Sequence, residues 1–443
     1  MSETVAHNVE TAFHGGAVPP AVRLPKLVQG FGYALARRQM VQWMAPRYGS
    51  VFTLTVPVFG DSVIVADPAL AKQVLTTSTD VLVNIQPNLS RVLGSGSIFA
   101  LDREEHRTRR KLLTPPFHGK SVKAYEKVFE EETLREAATW PEGREFSTLE
   151  PMMRITLNVI LRTVFGAEDA ELDELRRIVP PFATLGSRLM ALPRPPVKLG
   201  RYSPWGRLAE YHRRFDQTVG VLIDKALADP KLDERTDVLA MMLRSRYDDG
   251  TAMSRRELTD ELLTLVAAGH ETTGSTLAWA FERLCRHPDI LSKLAAEAQT
   301  DDNQLRQATI LEVQRVRTVI DFAGRHVATP DFQLGEWHVP QGYSIIVSIL
   351  LLHADPVAFP DPERFDPYRF VGQRPPTFSW LAFGGGARRC IGATFANTEM
   401  DIVLRTVLRH FTIEPSTKPD EKIHARGIAY TPKQGGRIVL HRH

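Results

Sequence analysis

Phe383–Gly384–Gly385–Gly386–Ala387–Arg388–Arg389–Cys390–Ile391–Gly392 is the stretch of this chain whose reading decides its fold. Three successive glycines let a backbone turn tightly and approach a large planar group, because no Cβ stands in the way. The residues that follow, from about Ile391 to Phe411, have helical spacing. Cys390 is therefore expected at a helix start, where the helix dipole favours thiolate over thiol and a metal such as iron can be ligated. A lone cysteine is ordinarily a buried, inert hydrophobe. That bland reading is lowered here by the glycine approach and by Arg388 and Arg389, and is kept for Cys285, which lies in Arg283–Leu284–Cys285–Arg286 with no such setting.

Around this stretch the chain has the balance of an ordinary globular protein: 443 residues, 43% hydrophobic and 24% charged. Two cysteines are too few for a disulfide framework and fit a reducing cytoplasm. The first 40 residues hold Pro19, Pro20 and Pro25 and several charges, with no apolar run of about 18 residues, so no membrane span is expected. A net charge of +3 gives no reason to invoke a nucleic-acid partner. Residues 1–30 read as an irregular lead and 31–443 as one large domain, since no linker, repeat or low-complexity stretch divides them.

The fold class expected is mainly α with small β-sheets. Gly49 to Val65 alternate as a hairpin does, and from about Pro68 to Ile320 the spacing is helical, with breaks at Asp229 to Asp233 and Asp248 to Gly250. Ser254 to about Arg286 is expected to form a long helix through the core, since Leu258, Leu262, Leu263, Leu265, Val266, Leu277 and Phe281 recur on helical spacing. Phe332 to Val339 and Ser344 to Val347 read as short strands, and Ile428 to Leu440 as a closing hairpin around Gly435 and Gly436.

Inside the long helix, Gly269, Thr272, Thr273 and Gly274 are poor helix formers placed together, which predicts local widening or a kink. His270 and Glu271 begin a zinc-protease pattern, but Gly274 stands where its second histidine belongs, so zinc is rejected and His270 is read as a packing residue. Glu312 and Arg315, three apart, share one helix face. His106 and Arg110, four apart, lie on a basic helix.

The cysteine loop resembles the haem-binding loop of the cytochrome P450 family, whose fixed positions are met by Phe383, Gly386, Cys390 and Gly392. The resemblance covers about residues 50 to 440 and implies the P450 fold, with haem b (iron protoporphyrin IX) between the long distal helix and a proximal loop whose Cys390 thiolate ligates iron. It assigns Glu271 and Thr272 to proton delivery, and His106, Arg110, Arg325 and Arg388 to the haem propionates. It likewise makes Glu312, Arg315 and Arg364 a structural triad. By matching positions, Ile85, Leu93, Val266, Ala268, Val319, Ile320 and Ile428 line the substrate space. The chain departs from the family where Val316 to Ile320 follow Arg315 without a proline pair, and where Ala354 replaces the commoner arginine.

The activity implied is insertion of one atom of dioxygen into a small apolar organic substrate. Electrons would come from a separate ferredoxin and its reductase, docked on Arg107, Arg109, Lys111, Arg389, Arg405 and Arg409. A peroxide-driven or rearranging haem-thiolate enzyme and a non-catalytic haem sensor are the alternatives; an intact Glu271 and Thr272 pair argues against the former.

Overall fold

In a computed structural model of the chain, residues 16–57, 59–85, 89–166, 170–190 and 200–443 are described, so residues 1–15 of the expected lead lie outside them. The remainder of that lead is shorter than the sequence suggests. A helix begins at Lys26 and runs to Tyr48, with Pro25 supplying its preset φ of −54° at the N-cap.

The central helix spans Arg255–Leu284 and stays α-helical throughout. Ser254 caps it reciprocally: its hydroxyl accepts from the Glu257 N–H at 3.3 Å, and its own N–H donates to Glu257 Oε2 at 2.7 Å. The expected kink is not found. The hydroxyls of Thr272, Ser275 and Thr276 donate one turn back to the carbonyls of Ala268, Glu271 and Thr272 without breaking the ladder. The glycines serve packing instead. A Cβ on Gly269 would stand 3.1 Å from Ile160, and one on Gly274 3.0 Å from the Met153 sulfur. Both neighbours belong to the buried helix Leu149–Phe165 that crosses the central one.

The N-terminal hairpin pairs Val51–Val56 with Gly60–Val65, Val51 opposite Val65. Its second strand pairs in parallel with Ser344–Ser348, which continues antiparallel to Phe322–Val327 and then Leu82–Asn84, completing a five-stranded sheet. Asp331–Leu334 and Trp337–Pro340 form a separate hairpin.

The closing hairpin expected around Gly435 and Gly436 is corrected. The hairpin turns at Gly427, joining Ile423–Arg426 to Ala429–Pro432. Beyond Gly436 the chain pairs with two distant strands, Arg437–Ile438 with Phe146–Ser147 and Leu440–Arg442 with Phe411–Ile413. Both glycines have positive φ, and a Cβ on Gly436 would lie 2.5 Å from the Ala278 carbonyl of the central helix. Close approach, rather than a tight hairpin, is what these positions require.

The coil leading to Cys390 is held by a buried acid. Glu312, on the helix Gln304–Val316, is fully enclosed and accepts two bonds from Arg315, each of 2.8 Å. Its second arginine is not Arg364, as expected, but Arg369, whose Nε lies 3.2 Å from Glu312 Oε1. Arg364 is exposed and contributes only its carbonyl, which accepts from Arg315 Nη2 at 3.2 Å. Burial of Phe365 sends the preceding side chain outward, and the 3₁₀ turn Pro367–Phe370 returns Arg369 to the acid. Arg369→Ala should lower unfolding free energy by about 3 kcal/mol, as removal of one partner from a buried ion pair does. Arg364→Ala should stay within about 0.5 kcal/mol of the parent. Chemical denaturation of both variants checks the assignment, and equal losses would reject it.

Candidate active site

Cys390 lies in the turn just before the helix Ala393–His410, with Gly392 at the N-cap. Its N–H donates to the Phe383 carbonyl at 3.0 Å, closing the loop. Gly386, at φ +65°, packs so tightly on the end of the helix Pro68–Thr76 that a Cβ there would fall 1.7 Å from the Leu75 carbonyl oxygen. The Cys390 side chain is accessible although protein surrounds it at longer range. Desolvation pushes its thiol up; the Gly392 N–H and the charges of Arg110 and Arg389 act in the opposite sense. Cys285 differs in exposure: it is fully buried, with its thiol pushed up to about 11 by burial.

Beside the loop, three arginines and a histidine gather, with Asp102 balancing part of their charge. His106 and Arg325 are buried, at 2% and 6% exposure, and Arg110 and Arg388 are half-buried. Burial first, then the charges of Arg388, Arg110 and Arg325, bring His106 down to about 3. Burial and Arg388 bring Arg325 down to about 10. Arg388 reaches the Leu101 carbonyl at 2.7 Å and the carboxylate of Asp102, and Arg110 the Arg389 carbonyl at 2.6 Å. His106 Nδ1 and Arg388 Nε are buried without a partner. Such a set fits a dianionic group: two carboxylates would occupy the orphaned donors and relieve the mutual repulsion.

On the central helix, Leu265, Ala268, Gly269 and Thr272 form an accessible stripe, with Ala267 partly accessible beside it. Val266 is wholly buried in the core, whereas the preceding Leu265 is partly accessible. Leu93 and Val319 are nearly enclosed, while Ile85, Ile320 and Ile428 remain partly accessible. Arg315 is followed by a turn in which the Thr318 hydroxyl donates to the Ile320 carbonyl at 3.0 Å, taking the place of a proline pair.

Glu271 is buried at 7% exposure, 3.3 Å from the Ser187 hydroxyl and 3.5 Å from Arg426 Nε. Burial raises its carboxyl, opposed by Arg426 and Ser187. Arg426 also binds the exposed Glu150 at 3.1 Å and lines a surface cavity of about 470 Å³ with Thr184, Arg188 and His424. Arg426 thus stands between the buried acid and the outside, a link that the sequence offered no signal to find. His270 is a packing residue, its Nδ1 3.2 Å from the Val266 carbonyl and its imidazole brought down to about 4 by burial.

The expected basic docking face needs correction at Arg109. It is buried, bound to Glu261 at 2.9 Å, to the Gly96 carbonyl at 2.6 Å and to Glu257. Arg107 and Lys111 pair on the surface with Glu104 and Asp248, each at 2.7 Å. Arg405 lies 3.9 Å from Glu130, and Arg409 donates to the Ala298 and Thr300 carbonyls. Arg389 is exposed, as are Lys120 and Lys123 on a short helix beside the Ala393–His410 helix, where His118 lies 3.5 Å from Thr394.

Among the described residues no helix is long and apolar enough to cross a membrane. The fold is that of the solved cyanobacterial CYP120A1 with retinoic acid bound, at a TM-score of 0.85, 23% identity and coverage of 97% of this chain and 100% of that one. A Mycobacterium tuberculosis protein that carries the name cytochrome P450 138 is 60% identical over 425 residues, 96% of each chain. Cytochrome P450 135B1 of the same species is 38% identical over 95% of this chain and 91% of its own length. The Cytochrome P450 family profile matches residues 18–438. With its loop, its cations and nearly its whole length accounted for, the chain belongs to the cytochrome P450 family of haem-thiolate monooxygenases.

Proposed function

We propose that the protein inserts one atom of dioxygen into a small apolar organic substrate, drawing electrons from a ferredoxin and its reductase in the cytoplasm. The observation that carries this reading is the cluster of Arg110, Arg325 and Arg388, only partly balanced by Asp102 and with the neutral His106 among them, beside an accessible Cys390. The three arginines and the His106 imidazole would hold the two propionates of haem b, and Cys390 its iron. When bound, that group supplies the metal centre at which dioxygen is activated.

The chain's own residues would do the rest. Gly392 N–H and the nearby arginines favour the thiolate of Cys390. Leu265, Ala268 and Gly269, with Ile85, Ile320 and Ile428, would give the substrate an apolar wall. Glu271, kept protonated more readily than an exposed acid, would pass a proton to the Thr272 hydroxyl, with Arg426 and Glu150 linking it to bulk water. Arg389, Lys120 and Lys123 would receive an acidic ferredoxin, in place of the docking face that included Arg109.

Turnover with a surrogate ferredoxin, its reductase and NADPH tests the function. Oxygenated product is expected, and Glu271→Gln should lower its formation about a hundredfold with an increased solvent isotope effect. Ligand-induced shifts of the Soret band should be unchanged, and product formed equally well from peroxide alone would reject the reading. Arg325→Leu should speed haem loss about tenfold while leaving the cofactor-free protein as stable as the parent or more so, because it removes one of several repelling charges. A loss of stability in the cofactor-free form would make Arg325 a folding residue instead. Arg389→Glu should slow reduction by ferredoxin about tenfold at low salt, with dithionite reduction unaffected.

A further inference from the structure

The first helix is inverted between Leu27 and Leu35. Leu27, Val28, Phe31 and Leu35 are 75%, 51%, 66% and 84% exposed, Ala34 is exposed too, and no polar side chain in this span is. The polar residue, Gln29, is the one inside: its amide donates to the carbonyls of Val22 and Leu24 at 3.1 and 2.7 Å and its oxygen accepts from the Thr55 N–H at 2.7 Å. Ala36, at φ −145° and ψ 46°, ends the segment. Single exposed apolar residues are ordinary, but a continuous stripe on one helix marks an interaction surface.

The surrounding charge selects the partner. Between Glu10 and Asp61 the chain has no acidic residue, whereas Arg23, Lys26, Arg37, Arg38 and Arg47 fall in that interval. Arg37 is committed to Asp321 at 2.8 Å and Arg38 is buried; Arg23 and Lys26 are exposed at the start of the stripe, Lys26 3.6 Å from Asp61, and Arg47 is exposed near the end of the same helix. Arg47 lies 4.0 Å from the ring centroid of Trp43, itself half exposed. A second copy joined through the same stripe would bring like charges together. We propose that Lys26–Leu35 is a docking surface for an anionic lipid bilayer, lying in the interface with Leu27, Phe31 and Leu35 toward the acyl chains and the basic residues among the headgroups.

The same helix touches the substrate side of the molecule. Arg37 binds Asp321, which follows Val319 and Ile320, and Ile85 packs against the cluster that includes Tyr33 and Met40. A bilayer-dissolved apolar substrate would enter on this side, a step that rests on the monooxygenase reading; the docking itself does not.

Cosedimentation of the full-length holoprotein with vesicles decides the matter. It should bind mixed phosphatidylglycerol–phosphatidylcholine vesicles and bind phosphatidylcholine alone about tenfold more weakly. Phe31→Ser/Leu35→Ser should lose binding at least about tenfold while keeping its far-UV circular dichroism, since both side chains are exposed. Arg23→Glu/Lys26→Glu should lose the preference for the anionic vesicles. The proposal falls if the parent stays in the supernatant, if the serine variant binds equally, or if binding begins only after removal of residues 1–15. It falls also if sedimentation equilibrium shows a dimer that the serine variant dissociates without vesicle binding. Failure of turnover with intact vesicle binding would reject the enzymatic reading alone.

Discussion

Three guanidiniums and a histidine brought together inside one protein are the constraint on which the rest of this structure depends. His106 and Arg110 come from the basic helix Arg103–Leu113, Arg325 from the sheet and Arg388 from the cysteine loop. Each loses hydration on burial; His106 is further disfavoured by the three arginines, Arg325 by Arg388 and Arg388 by Arg110, which is why His106 is neutral and even Arg325 is drawn down. Asp102 offsets part of this through Arg388. A protein keeps such an arrangement only when the surrounding elements are rigid enough to hold it and a ligand of opposite charge repays it.

Rigidity is supplied by buried polar bonds that span long stretches of chain. Glu312 gathers Arg315, Arg369 and the Asp366 N–H, the last at 2.9 Å, and so fastens the coil before the cysteine loop to a core helix. Arg109 does the same on the other side, fixing the Gly96 carbonyl to the first turns of the central helix. Gly386 then seats the loop against Leu75. None of these residues would touch the reacting atoms, yet together they set where Cys390 stands relative to the cations.

Much of this was legible in the sequence, and the failures have physical causes. The glycine loop, the capped central helix and the hairpin of Val51–Val56 with Gly60–Val65 carry local signals of spacing and turn chemistry, and all are present. Arg364 and Arg369 sit in two segments of the same form, Pro362–Glu363–Arg364–Phe365 and Pro367–Tyr368–Arg369–Phe370, so spacing alone could not tell which guanidinium turns inward. Arg109 reads as one more surface cation because its partner Glu261 is 152 positions away. Gly435 and Gly436 look like a hairpin turn, though their need for glycine comes from contact with Ser147 and Ala278, both far earlier in the chain. Long-range contact, invisible to a local window, is the common element.

The cysteine loop also has a history within each molecule. Arg388 meets Leu101 across 287 positions, and Arg110 meets Arg389 across 279. During synthesis the basic helix emerges early, with its charges hydrated and apart from the others, while the loop that completes the pocket is made close to the end. Contacts of such sequence separation close late, because loop entropy is paid before they return anything. The pocket, like the sheet that pairs Ser62 with Ser344, is therefore complete only once the C-terminal part of the chain has been made.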